Sequence, residues 1–252
     1  MPTELDQLAH DVPYLADLAR SDPAVLAAAA NTPDPLRHAS LIVLNDLFWQ
    51  VQQYAAAICA LVPHDLHLPV QVVLRGLYES AATMGYLRTH PAKDREGAIL
   101  LAYTYWRDTE ELSDDQAATR ERRDILSRMP PDIVAEAKRR GSTRPKGWSG
   151  LTVKDLAAKS GVKGYDVLYG PLSGSSHAAR AGRYFRLIAV QDGRVEVRTG
   201  WPSSPEERET QANFARRILH SAFKIMWEEN GGGPVHFKTT NPEDWLRTHR
   251  AS

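Results

Sequence analysis

Two charged side chains sit in a run of sequence that otherwise reads as dry helix. Arg75 and Glu79 lie one turn apart between Pro69 and about His90. A guanidinium in such a place can clamp an anionic or carbonyl group, and a carboxylate can serve as a base or orienter. A second unusual stretch, YDVLYGPLSGSSH from Tyr165 to His177, lies further along the chain. If it is helical beyond Pro171, it sets Ser173, Ser176, His177 and Arg180 along one side. Imidazole titrates near neutral pH, so His177 can shuttle protons or hold an oxyanion.

The chemistry depends on the helix that carries Arg75. At 100° per residue, Val70, Val73, Leu74, Leu77, Ala81 and Met84 form one apolar stripe, and Val72, Gly76, Ala82 and Tyr86 occupy the opposite face. A helix apolar all round is a central helix, and an unpaired buried charge there costs several kcal/mol. Arg75 and Glu79 must therefore neutralise each other as a structural ion pair, or face a polar cavity. The i,i+4 spacing permits the pair, although Arg before Glu is the weaker order. A serine nucleophile has little behind it: no GxSxG elbow and no clear acid partner accompany Ser173.

The motif LRxxxE (Leu74, Arg75, Glu79), followed by YxxLSxxxH (Tyr169, Leu172, Ser173, His177), resembles a bacterial helical family classified only as a domain of unknown function. The likeness runs from about Leu36 to Arg180. It implies a helical fold and that Arg75, Glu79, Ser173 and His177 belong together; it supplies no reaction. The candidate catalytic residues are therefore Glu79 and His177. The candidate ligand-binding residues are Arg75, Tyr169, Ser173 and Arg180, with no metal and no cofactor expected.

Other chemistries are poorer fits. Di-iron bundles need Glu-x-x-His pairs, and none occurs. His64 and His67 have a spacing that metals tolerate but no evident third ligand, which makes them surface histidines. HEPN-class helical ribonucleases use Arg–x(4–6)–His; Arg216 and Arg217 stand too close to His220, and these residues read as the exposed face of a terminal helix. Arg120, Arg122, Arg123, Lys138, Arg139, Arg140, Arg144 and Lys146 could contact phosphates, with a solvated face and loop as the default. Gly141–Gly150 lacks Walker spacing and Gly231–Gly233 follows a helix. Trp106, Trp148, Trp201 and Trp227, with Tyr103 and Tyr105, read as core aromatics.

Composition sets the frame for these residues. The 252 residues are 42% hydrophobic and 25% charged, with 31 Lys+Arg against 31 Asp+Glu. That is a globular balance with no net field to coat nucleic acid or membrane. The single cysteine, Cys59, excludes an intramolecular disulfide and a cysteine-rich metal site. Neither a signal peptide nor an apolar run of about 20 residues is visible, so a cytoplasmic protein with no membrane partner is expected.

Helical periodicity runs through most of the chain. Thr3 caps a first helix that Pro13 should kink or break, and Asp22-Pro23 opens a short Ala-rich helix ending near Asn31. The strongest pattern spans Leu36 to Val62, with Pro63 stopping it; the helix from Pro69 then folds back as an antiparallel hairpin. Further helices are predicted over about 92–112, from Ser113 to the Met129–Pro131 break, over Asp132–Arg140 with Gly141 as cap, over Thr152–Ser160, from Tyr165 to about Gly182, and from Pro205 to Asn230. Only Arg186–Val190 and Arg194–Arg198, around Asp192-Gly193, alternate like a hairpin.

The expected fold is thus all-α, a multi-helix bundle with one small β-hairpin insertion at about 186–198. It forms a single domain over 1–252, with short N-terminal helices (1–35) and a peripheral C-terminal tail (231–252). The expected function is an enzyme or small-molecule-binding protein with a buried Arg/Glu/His site. The alternatives are a HEPN-like RNA-directed toxin or defence effector, for which nucleic acid is the partner, and a non-catalytic dimerising scaffold, with a homodimer as its form.

Overall fold

The computed structural model describes residues 2–22, 25, 27–28, 31–64, 66–89, 96, 99, 120, 124–142, 151–162, 185–189, 195–199 and 204–232. The fold is all-α. Its long helices are α1 (Glu4–Ser21), α2 (Pro35–Leu61), α3 (His67–Thr89), α4 (Pro131–Ser142), α5 (Val153–Ser160) and α6 (Pro205–Glu229), with a 3₁₀ turn at Val62–His64 between α2 and α3. The expected helices over 92–112 and 165–182 fall largely or wholly outside the described residues.

Local chemistry fixes the helix starts. The Thr3 hydroxyl accepts from the Asp6 amide while the Asp6 carboxylate accepts from the Thr3 amide, a capping box. Ser204 and Glu207 repeat that device at α6, with Pro205 in its first turn. Asp34 caps α2 ahead of Pro35, and Thr152 caps α5, which ends on Gly161 at φ +70°.

Three boundaries differ from expectation. Helix α1 runs unbroken through Pro13. Ala9 and Pro13 both face solvent, so the carbonyl that Pro13 cannot bond is open to water. Helix α3 starts two residues before Pro69, which occupies the first turn, where a missing N–H has no intrahelical partner to lose. Helix α4 passes over Gly141 to Ser142 instead of capping there.

Helix pairings give the layout. Gly76 lies against Tyr54 and Ser80 bonds Gln50, so numbering rises on α3 as it falls on α2, and the hairpin is antiparallel. Phe48 meets Phe223 edge-on at 5.9 Å, and Arg37 pairs with Glu229 at 2.5 Å, so α6 also runs against α2. Glu4, Gln7 and Asp11 of α1 meet Glu209, Arg216 and His220 in rising order, so α1 runs with α6.

Helix α3 is the centre: it packs on α2, α5 and α6. From Ser80 to Leu87 every side chain is buried, and Gly85 lets the backbone of Ser160 in α5 close on it. Backbone at Phe185–Ala189 pairs antiparallel with Val195–Thr199, Leu187 opposite Val197.

Candidate functional site

The seam between α2 and α3 holds the first pair of candidate residues. Arg75 Nε donates to Glu79 Oε1 at 2.9 Å, one turn away on α3. Between them Gly76 leaves room for the Tyr54 ring: a Cβ there would stand 2.9 Å from its Cζ and 3.1 Å from its hydroxyl. One turn on, the Ser80 hydroxyl donates to Gln50 Oε1 at 2.7 Å and to the Gly76 carbonyl at 3.0 Å. A guanidinium, a carboxylate, a phenol and a carboxamide thus border one seam. This arrangement can hold a polar group and exchange a proton with it.

The expected burial is corrected here. The N-terminal half of α3 has a wet stripe, on which Val72 is 49% exposed. Arg75 and Glu79 continue that stripe with side chains 27% and 35% exposed, so they stand at the margin of the bundle and not in its oily interior. Helical spacing explains this: residues 72, 75, 76 and 79 share a face that α2 covers only in part, through Tyr54. The dry helix read from the sequence begins at Ser80. Tyr169, Ser173, His177 and Arg180 lie outside the described residues.

A second polar cluster was misread from the sequence. Arg216 and His220 are not the exposed face of a terminal helix; their side chains are 6% and 13% exposed, and only Arg217 beside them faces water. Both point at Asp11 of α1, itself 2% exposed, with Arg216 Nε at 2.6 Å and His220 Nε2 at 2.7 Å from Oδ2. Arg216 also donates to Gln7 Oε1 and, at 3.4 Å, to Glu4 Oε2, while His10 Nδ1 lies 3.3 Å from Asp11 Oδ1. Burial pushes the Asp11 carboxyl up, but hydrogen bonds and charge from His220 and Arg216 outweigh it and hold the group below the usual carboxylate range. The carboxylate is therefore ionised and accepts from Nε2–H of His220.

The signal for this cluster was present. Asp11 falls between Leu8, Val12 and Leu15 on a helix whose leucines face inward, and Arg216 and His220 share one face four residues apart. The partnership itself spans 205 residues, which no local pattern reveals.

Other candidates fall out simply. His64 is exposed, and among the described residues no three His, Cys, Asp or Glu side chains gather as a metal would require. Trp227 is core, stacked on Phe223 at 5.3 Å; Trp106, Trp148, Trp201, Tyr103 and Tyr105 lie outside the described residues. Among those residues no helix is long and apolar enough to cross a membrane.

A family model, described as a family of unknown function (DUF5677), matches residues 41–193, more than half of the chain. The chain belongs to this family. The match takes in most of α2 and all of α3, α4 and α5, together with the later segment carrying Tyr169, Ser173 and His177; α1 and α6, with the Asp11 cluster, lie outside it. No curated protein and no solved structure matches the chain significantly.

Proposed function

We propose that this member of the family binds a small polar ligand at the seam between α2 and α3 and acts on it by acid–base chemistry. Arg75 orients a carbonyl or anionic group of the ligand, and Glu79 exchanges a proton with it. Tyr54 and Gln50 border the seat. Tyr169, Ser173 and Arg180 close it from the later segment, and His177 is the second proton carrier.

The observation that carries this reading is the half-sheltered state of the Arg75–Glu79 pair, 2.9 Å apart on a helix inside the family-matched region. A partly solvated i,i+4 pair contributes only about 0.3–0.5 kcal/mol, too little to fix helix register. The structural role of a buried ion pair is filled instead by the Asp11–Arg216 contact. Arg75 and Glu79 are thus open enough for a ligand.

The RNA-directed reading draws less support, because Arg216 is spent on buried acceptors and offers nothing to a phosphate. The scaffold reading has only Leu66 and Val72 as exposed large hydrophobics among the described residues, far short of a stable interface. Within the favoured reading the chain forms one domain over 1–252, the ribbon near 186–198 is a small insertion, the tail from 231 is peripheral, and the protein works in the cytoplasm.

A thermal-shift screen of the full chain against small carboxylates, amides and sugars tests it. Ligands that raise the Tm of the wild type should lose their effect on Glu79→Gln and His177→Ala. Both unliganded variants should melt within about 3 °C of wild type, the shift that ~1 kcal/mol gives at this size. Hits that persist in both variants, or variants that no longer fold, overturn the reading.

A further inference from the structure

About 15 Å further along α3 than Arg75 (ten residues at 1.5 Å each), a cavity of about 440 Å³ opens between the C-terminal half of α3, the end of α5 and one face of α6. Its size suits a small organic molecule. Three cationic side chains line it: Arg88 from α3, and Arg217 and Lys224 from α6. No carboxylate stands among its described lining residues.

The three cations differ in what they already hold. Arg88 pairs with Glu228 at 2.5 Å and with Glu229 at 3.6 Å, and Lys224 reaches Glu228 at 3.7 Å; both carboxylates lie outside the lining. Arg217 is exposed. With no acidic partner among the described residues, it adds positive charge to the mouth beside the paired Arg88 and Lys224. The floor is apolar, built from Ile218 and Ile225, 4% and 7% exposed.

The wall formed by α3 and the end of α5 is fixed before any ligand arrives. A Cβ on Gly85 would stand 2.3 Å from the Ser160 carbonyl oxygen, so α3 and the end of α5 touch backbone to backbone. The Ser160 hydroxyl donates to the Ala157 carbonyl at 2.9 Å and accepts from the Val162 amide at 3.0 Å. The hydroxyl of the buried Tyr78 on α3 donates to the Val162 carbonyl at 3.2 Å. A pinned wall spares the ligand the ordering cost of closing a loop.

We propose that this cavity binds a small organic phosphate, its anionic head among Arg217, Lys224 and Arg88 and its apolar body on Ile218 and Ile225. A phosphate monoester is favoured over a carboxylate because it carries nearly two negative charges and three acceptor oxygens, which suits three cations in one mouth. The site is separate from the Arg75–Glu79 seam and does not depend on it.

Isothermal titration of the full chain with phenyl phosphate and with inorganic phosphate tests the assignment. Phenyl phosphate should bind at least tenfold more tightly than inorganic phosphate, and its affinity should fall as salt is raised. Arg217→Glu, a change at an exposed position, should weaken it at least tenfold with the circular dichroism unchanged. Ser221→Phe, which fills the cavity from α6, should abolish it by occupancy alone. No binding of phenyl phosphate at millimolar concentration, equal affinity for the two probes, or undiminished binding by the Arg217→Glu protein would each overturn the proposal.

Discussion

Asp11 and Glu79 each hold an arginine, yet their surroundings give the two pairs different work. Asp11 and Arg216 are 2% and 6% exposed, and each is bonded to further polar groups. Taking away one member of such a pair strands the other in a low-dielectric interior, at a cost of about 3–5 kcal/mol. Asp11→Ala should therefore lower the unfolding free energy from urea melts by that much, whereas Glu79→Gln should cost well under 1 kcal/mol. Equal losses for the two would contradict the assignment of roles.

Asp11 also makes stability depend on pH in a set direction. Its carboxyl is held below the usual range in the folded protein, so the unfolded chain binds the proton more readily. The contribution is complete above about pH 4, the ordinary carboxylate value, and is lost as pH falls through the lowered folded value. His10, Arg216 and His220 face the same carboxylate, and Glu4 meets Arg216 from the other side. Urea melts from pH 7 to pH 3 should show wild type losing stability in the acid range and Asp11→Ala losing less of it. Parallel curves would contradict this account.

At the scale of elements, the decisive contact is glycine against backbone. A methyl group at Gly85 would meet the Ser160 carbonyl at 2.3 Å, and neither partner is a side chain that can swing aside. Gly85→Ala should cost about 1–3 kcal/mol, as overpacking does, and should loosen α5 from α3. Hydrogen exchange at the α5 amides measures this directly, and unchanged protection there would count against a fixed α3–α5 wall. Gly76, by contrast, meets the mobile end of Tyr54.

Much of this layer was legible in the sequence. Asp34 before Pro35, Ser204 with Glu207, and Thr152 with Gly161 mark helix ends by hydrogen-bond chemistry that is local to a few residues. What was not legible is which face of a helix its neighbours leave open. The residues opposite the apolar stripe of α3 read as dry throughout, yet Val72 faces water while Ala82 does not, because α5 and α6 cover only the second half. Arg216 was misassigned for a similar reason, since its partner lies on the first helix and no spacing rule connects them.

At the scale of the molecule, a hairpin of α2 and α3 is clasped by α6 and by α1, which packs on both α6 and α2, with α5 sealing α3. Ionic contacts at the end of α6, where Arg37 and Arg88 hold Glu229 and Glu228, tie three helices at one place. The family-matched region contains the hairpin and the later segment but neither clasp. The seam with Arg75 and Glu79 thus belongs to the part shared with the family, and the Asp11 lock to a part outside the match.

The central claim is that Glu79 and His177 work in one site. A double-mutant cycle on unfolding free energy measures it, using Glu79→Gln, His177→Ala and the combined protein. Groups that share a site should show a coupling above ~0.5 kcal/mol, whereas residues more than about 10 Å apart should add within that limit. A coupling above that limit is the result predicted here; strict additivity would place the imidazole elsewhere and remove the proposed acid–base pair.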